Sequence, residues 1–392
     1  MNNSKRSDQM HKILFLHAGS ELYGADKILL EIVENLDTTK YSVQVLLPNE
    51  GPLTKKMQEA GIAVDTMPYP ILRRKYFNAL GMINYLFRYI YYSIKLIHFV
   101  KRNKIDIVHV NTTAVLEGVA IKVFTNSRIV WHVHEIIVSP KVVFKFVSWL
   151  VARFSDSVVA VSEATKNRLV ESGYFGSDDV NLIRNGIKPI QKVSDVEMQN
   201  LRKKLEIPES GIVFGMVGRV NAWKGQPDFV RAFEKASQQN DSLFAIMVGG
   251  VFAGEDFRME ALRRQISDSG LDNRIRVVDF TENVGRFYSI FDIFVMPSTR
   301  PDPFPTVVLE AMSVGLPVVG YNHGGVTEMV EDGKNGFLSE AGNIDKLAEN
   351  FTFLASRESV RRSFGVASAD LMNREFNLAS FIQKIEMVYG RL

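Results

Sequence analysis

The chain has 392 residues, more than one hydrophobic core usually serves, so two domains are expected. Hydrophobic residues at 46% and charged residues at 23% exclude disordered and collagen-like classes. The absence of cysteine excludes disulfides, thiolate metal sites and cysteine nucleophiles, and suits a reducing compartment. The net charge of +3 is unevenly spread: residues 1–190 carry 24 Lys and Arg against 17 Asp and Glu, a surplus of +7, and the remainder carries −4. The first half is therefore expected to meet something anionic.

The first ten residues are polar and expected to fray. The apolar run 13–16 is too short for a signal-peptide core. Residues 12–17 (KILFLH) read as a buried strand, followed by a loop with Gly19 and Gly24 and a helix from about Ala25 to Leu36. Further strands are predicted over 41–47, ended by Pro48, and over 61–67, 105–111 (IDIVHVN), 128–134 (RIVWHVH) and 157–162 (SVVAVS). Residues 81–100 are apolar but contain Arg88, Lys95 and His98, which a membrane-spanning helix would bury, so a span is rejected. Residues 188–204, polar and containing Pro189, read as a connection leading into a helix. The pattern then restarts, with strands over 212–217, 242–248, 274–278, 293–296 and 317–320. Near-continuous apolar strands alternating with helices imply parallel sheets buried on both faces. The class is α/β: two doubly wound, Rossmann-like domains over 1–187 and 205–375, with a final helix, 376–392, returning to the first. Ligands of such sheets bind at the carboxyl ends of the strands.

Two stretches carry chemistry. Residues 218–225 (GRVNAWKG) follow a strand directly, and glycines at both ends let the backbone approach a ligand. Arg219 and Lys224 can then converge on a diphosphate. The same loop reads equally as a surface turn with two solvated cations. In 297–319 (PSTRPDPFPTVVLEAMSVGLPVV), Pro305 predicts a helix start near Thr306, whose free N–H groups favour a phosphate. Phe304 and Pro305 would line that helix start. Glu310, about one turn in, can accept from two ribose hydroxyls, and Asp302 from sugar hydroxyls. The alternative is a solvated Glu310 and a turn Asp302, against which the flanking Val307, Val308, Leu309 and Ala311 argue.

The order Gly218-Arg219…Lys224-Gly225, Asp302-x7-Glu310, Leu309-Glu310-Ala311-Met312, Gly315-x-Pro317-Val318-Val319, Gly324-Gly325…Glu328 and Asp332-Gly333…Asn335-Gly336 resembles the retaining glycosyltransferases of family four, the group 1 enzymes of GT-B fold. It spans about 120 residues; each piece is weak and the set is specific. One departure stands out: the family pattern is Glu-x7-Glu, and Asp302 is one methylene shorter. The N-terminal half matches more loosely. Gly19-Ser20-x3-Gly24-Ala25-Asp26 resembles the family's first glycine loop, which puts Gly24 near the donor. Residues 131–135 (WHVHE) resemble its strand-end histidine motif, and Ser162, Lys166 and Asn185-Gly186 also match. The resemblance implies that His134 approaches the donor sugar; by position alone it reads as well as a hydrogen-bonded structural residue. The fuller G-x-G-x-x-G fingerprint is absent from this loop.

The resemblance implies two domains facing a central cleft and a catalytic set of Arg219, Lys224, His134 and Asp302. Gly24, Gly218, Phe304, Pro305, Thr306 and Glu310 would bind the donor. The donor would be a UDP- or GDP-linked sugar and the acceptor a lipid-linked saccharide in cell-surface polysaccharide or glycolipid assembly. No cofactor is expected. No D-x-D occurs, so no essential metal is expected either, with cations and helix N-termini supplying the positive field. Competing readings are a GT-B epimerase, a phosphorylase (for which no pyridoxal phosphate lysine site is found) and a nucleotide-sugar-binding protein without catalysis.

No acidic residue lies between Asp65 and Asp106, a stretch holding Arg73, Arg74, Lys75, Arg88, Lys95, Lys101, Arg102 and Lys104 among aromatics. Residues 71–104 therefore read as a peripheral contact with anionic lipid at the inner face of the membrane, for a cytoplasmic protein. The plainer reading is an amphipathic helix with its aromatics packed inward. Nothing resembles a nucleic-acid module, and no nucleic-acid partner is expected.

Overall fold

The computed structural model describes residues 10–238, 240–252 and 254–392, apart from the side chain of Arg74. Residues 1–9 of the segment expected to fray, and one cation of the basic set, thus lie outside the described residues. The chain forms two compact units. One is the chain up to Gly186 together with Leu378–Leu392, and the other is Ile187–Asn377.

The first unit alternates β1 (His11–Leu16), α1 (Gly24–Asn35), β2 (Tyr41–Leu47), α2 (Pro52–Glu59), β3 (Ala63–Thr66), α3 (Ala79–Asn103), β4 (Ile107–Val110), α4 (Glu117–Phe124), β5 (Arg128–Val133), α5 (Lys141–Phe154), β6 (Ser157–Ala160), α6 (Glu163–Val170) and β7 (Val180–Leu182). All pairs are parallel, in the order β3-β2-β1-β4-β5-β6-β7. The apolar runs become central strands because helices cover both faces: Ile13–Leu16, Val108, Val110, Ile129, Val130 and Trp131 are fully buried.

The second unit contains α7 (Asp195–Lys204), β8 (Ile212–Val217), α8 (Gln226–Ser237), β9 (Leu243–Val248), α9 (Asp256–Asp268), β10 (Ile275–Val278), α10 (Gly285–Tyr288), β11 (Ile293–Met296), α11 (Thr306–Ser313), β12 (Val318–Tyr321), β13 (Gly336–Ser339), α12 (Ile344–Ala355) and α13 (Glu358–Glu375). Its parallel order is β10-β9-β8-β11-β12-β13. Phe214 on the sheet meets Phe351 of α12 at 4.7 Å, and Phe229 of α8 lies edge-on to Phe351 at 5.7 Å. The final helix, α14 (Leu378–Tyr389), packs in the first unit, where Tyr389 stands edge-on to Tyr41 at 5.6 Å.

In both sheets the chain works outward to one side and then restarts beside its first strand. The reversal falls between β1 and β4 in the first unit and between β8 and β11 in the second. Such a switch point leaves a crevice at the carboxyl ends of two neighbouring strands.

Three details differ from the sequence reading. Residues 188–204 are packed onto the second unit, with the Ile190 and Val193 N–H groups donating to Ser313 Oγ and Ser289 Oγ at 3.1 Å each. The edge strands β7 and β13 were not anticipated, because three or four residues cannot show a period. The runs 105–111 and 128–134 end early, at Val110 and Val133, so Asn111 and His134 lie just past the ladder.

Glu117, in the first turn of α4, is fully buried, and burial pushes its carboxyl up to about 8. An exposed glutamate releases its proton near 4.5, so this group makes stability fall as pH rises between those values. Glu117→Gln is expected to remove that slope. Urea midpoints of variant and wild type should nearly coincide at pH 5, and the variant should be the more stable at pH 8; equal midpoints at both values would refute the assignment.

Candidate functional site

In the second unit the β8–α8 loop lies against the β11–α11 loop at the switch point. Gly225 ends the first loop with φ +83°, and a Cβ there would collide with the Pro297 carbonyl, so only glycine permits this approach. Asn221 Oδ1 accepts from the N–H groups of Trp223 (3.0 Å) and Lys224 (2.9 Å), shaping the turn. The Thr299 N–H donates to the Trp223 carbonyl at 2.7 Å and ties the loops together.

That packing aims the Lys224 ammonium at Asp302, with Nζ to Oδ2 at 2.5 Å and both side chains largely buried. Asp302 is held in turn: its carbonyl accepts from the Gly325 N–H at 2.8 Å, and a Cβ on Gly325 would strike the Pro303 carbonyl. Helix α11 starts at Thr306, as its proline predicted. Glu310 is buried, not solvated, and its Oε2 accepts from Tyr288 Oη at 2.7 Å. Burial beside this carboxylate pushes the Tyr288 phenol well above its ordinary range, so it stays a donor.

Gly218, Arg219 and Lys224 thus follow β8, while Asp302, Phe304, Pro305, Thr306 and Glu310 follow β11, its neighbour. Lys224 is on Asp302, and the Arg219 guanidinium lies over the Phe252 ring, 3.3 Å from its centroid. Phe304 is buried against Phe376 with ring centroids 5.6 Å apart, so what it offers a ligand is main chain.

Gly24 and His134 belong to the first unit. Gly24 opens α1, whose Asp26 is buried and accepts from His17 Nε2 at 2.7 Å. His134 Nε2 contacts Asn111 Oδ1 at 3.1 Å, and its ring lies 4.1 Å from that of His132. Burial holds His134 down at about 3, so it is neutral at physiological pH.

Two family models divide the chain: Glycosyltransferase Family 4 matches residues 23–190, and Glycosyl transferases group 1 matches residues 197–370. The chain belongs to the group 1 glycosyltransferases of family four. Its fold is GT-B. The UDP-Gal:alpha-D-GlcNAc-diphosphoundecaprenol alpha-1,3-galactosyltransferase of Escherichia coli is 24% identical over 384 residues, covering 94% of each chain. The N-acetyl-alpha-D-glucosaminyl L-malate synthase of Bacillus anthracis is 23% identical, over 60% of this chain and 65% of its own. The crystal structure of Anabaena Alr3699/HepE in complex with UDP-glucose superposes with a TM-score of 0.84 at 26% identity, over 97% of this chain and 100% of that one.

Sequence reasoning missed Asn221, Tyr288, Phe252 and the pairing of His17, Asp26 and Asn111 in this glycosyltransferase. Tyr288 and Glu310 are 22 residues apart, and His17 and Asn111 are 94. Asn111 and His17 left a signal, each as a polar residue closing an apolar run.

Tyr288→Phe removes the hydroxyl that satisfies Glu310 and should destabilise the protein by about 1–3 kcal/mol, the cost of a buried acceptor losing its donor. Chemical denaturation should show a lower midpoint with an unchanged slope; an unaltered midpoint would remove this role for Tyr288.

Proposed function

We propose that this glycosyltransferase moves a hexose from a UDP-sugar to a lipid-linked saccharide with retention of anomeric configuration and without a metal ion. The observation that carries the reading is the Lys224 ammonium held at the β8/β11 switch point, beside the loop that enters α11. The Escherichia coli relative uses UDP-Gal and a diphosphoundecaprenol acceptor, and HepE takes UDP-glucose, which supports a uridine donor over a guanosine one.

In this reading the diphosphate meets Lys224, Arg219 and the N–H groups at the start of α11. Asp302 uses one of the three ammonium donors and orients the rest. Negative charge grows on the diphosphate as the anomeric bond breaks, and fixed cations and dipoles there lower the barrier. Tyr288 holds the Glu310 carboxylate in place to accept from the ribose hydroxyls. Asp302 and Glu310 are binding groups, not a hydrolase pair. His134 is assigned to the transferred sugar and Gly24 to the donor's close approach. The acceptor attacks from the face of departure, and the diphosphate takes its proton.

The lipid-linked acceptor would be reached by peripheral contact at the inner membrane face. Among the described residues no helix is long and apolar enough to cross a membrane. In this reading the exposed apolar side chains of 71–104 would meet the lipid. Tyr76 and Tyr85 are buried, and Tyr89, Tyr92 and Phe99 are partly so. Leu80, Ile83, Phe87, Ile90 and Ile94 form an exposed stripe at spacings of three and four, with Phe87 73% exposed. Helix α5 adds exposed Val142, Phe146 and Trp149 with Lys141 and Lys145. Apolar stripes flanked by cations suit anionic lipid.

Lys224→Ala should lower UDP release from UDP-glucose or UDP-galactose by about 10²–10³-fold, the cost of one transition-state donor, while circular dichroism shows the variant still folded at the assay temperature, though less stable for the Asp302 carboxylate it strands. Turnover like the wild type would sink the assignment. In vesicle sedimentation the protein should pellet with phosphatidylglycerol and not with phosphatidylcholine, and Phe87→Asp with Ile90→Asp should abolish pelleting. Equal pelleting with both lipids would count against the membrane contact.

A further inference from the structure

The switch point of the first unit holds a continuous chain of polar groups, buried at Asp26, His17 and Asn111 and partly buried at His134. His17 follows β1, Asn111 follows β4 and His134 follows β5, three neighbours in the sheet. Asp26 Oδ1 meets His17 Nε2 at 2.7 Å, His17 Nδ1 meets the Asn111 amide nitrogen at 3.2 Å, and the Asn111 amide oxygen meets His134 Nε2 at 3.1 Å. The residues beside Asn111 and His134 are tied to each other, since Glu135 accepts from the Thr112 hydroxyl and from the N–H (3.1 Å) and hydroxyl (3.0 Å) of Thr113.

The direction of this chain follows from its first member. Asp26 sits in the first turn of α1 and accepts from the Tyr23 N–H at 2.9 Å. A carboxylate only accepts, so a neutral His17 must carry its proton on Nε2 and present a lone pair at Nδ1. That lone pair needs a donor, so Asn111 turns its NH2 to His17 and its oxygen to His134. His134 must then donate from Nε2 and keeps a lone pair at Nδ1. Were Asn111 reversed, His17 would face an oxygen with a lone pair and His134 would be the acceptor.

We propose that Asn111 is a positioning residue which, directed by Asp26 through His17, sets His134 in its Nε2–H tautomer and so presents Nδ1 as a hydrogen-bond acceptor for a hydroxyl of the donor sugar. The last clause rests on the assignment of His134 to the transferred sugar. The other ionisable groups around the chain are His132, stacked on His134, His109, which contacts His132 Nδ1 at 3.3 Å, Tyr69, which donates to the His17 carbonyl at 2.6 Å, and Glu135. Burial keeps His109, His132 and His134 neutral, so none of these three competes as an imidazolium for the direction.

The test is long-range ¹H–¹⁵N spectroscopy of the full-length protein labelled in its histidines, with His134 identified by the signals lost in His134→Gln. The wild type should show the Nε2–H tautomer alone. Asn111→Ala and Asp26→Asn should each give a mixture of tautomers. Asn111→Asp, which keeps an acceptor for His134, should restore the Nε2–H form. UDP release from UDP-glucose or UDP-galactose should fall about 10- to 100-fold in kcat for Asn111→Ala with little change in KM, as expected for a misoriented contact. A wild-type His134 protonated at Nδ1, or a pure Nε2–H form in both Asn111→Ala and Asp26→Asn, would overturn the proposal. The sugar assignment is read separately. Replacing UDP by either UDP-sugar should shift the His134 Nδ1 signal, and a missing shift would remove that assignment while leaving the tautomer result standing.

Discussion

A strand buried on both faces can continue in a parallel sheet only through a crossover, and this constraint shapes everything else in the molecule. The chain cannot turn back beside a strand with a hairpin, so it leaves each strand at its carboxyl end and returns by a helix. Where the winding direction reverses, two neighbouring strand ends feed loops that diverge, and the crevice between them stays open. Both sheets have one such place. His17 and Asn111 follow the two switch-point strands of one unit, with His134 after the next strand, and Lys224 and Asp302 follow those of the other.

The two switch points hold polar groups away from water by different means. In the second unit the means is charge. Lys224 and Asp302 neutralise one another, and Tyr288 answers Glu310 with a hydroxyl whose proton is hard to remove. A charge buried there without its partner would carry the desolvation cost that pairing offsets. In the first unit the means is neutrality. Three histidines are kept uncharged by burial, and a carboxylate at a helix start, Asp26, is bonded to a fourth, His17.

Much of this was legible in the sequence where the signal is local. The strand over 293–296, the helix start at Thr306 and the restart of the βα pattern rest on apolar runs and a proline, and each appears where expected. Gly225 could be read as a close-approach glycine, although the Pro297 carbonyl that demands it could not. The short edge strands β7 and β13 were illegible because their few residues are chosen by a neighbour's free edge. The aromatic residues of α3 looked alike in sequence, yet Tyr85 is buried while Phe87 is exposed, since packing against α4 and α5 decides which side of the helix is covered.

The sequence by itself determined the α/β class, the two-unit organisation and the family, because period, glycine placement and motif order are properties of neighbours along the chain. Only the tertiary structure decided that Lys224 meets Asp302, that Glu310 is held by Tyr288, and that Asn111 links His17 to His134. Those partners are 22 to 94 residues apart and are joined by strand order, and a hydrogen bond depends on distance in space, about which separation along the chain says nothing.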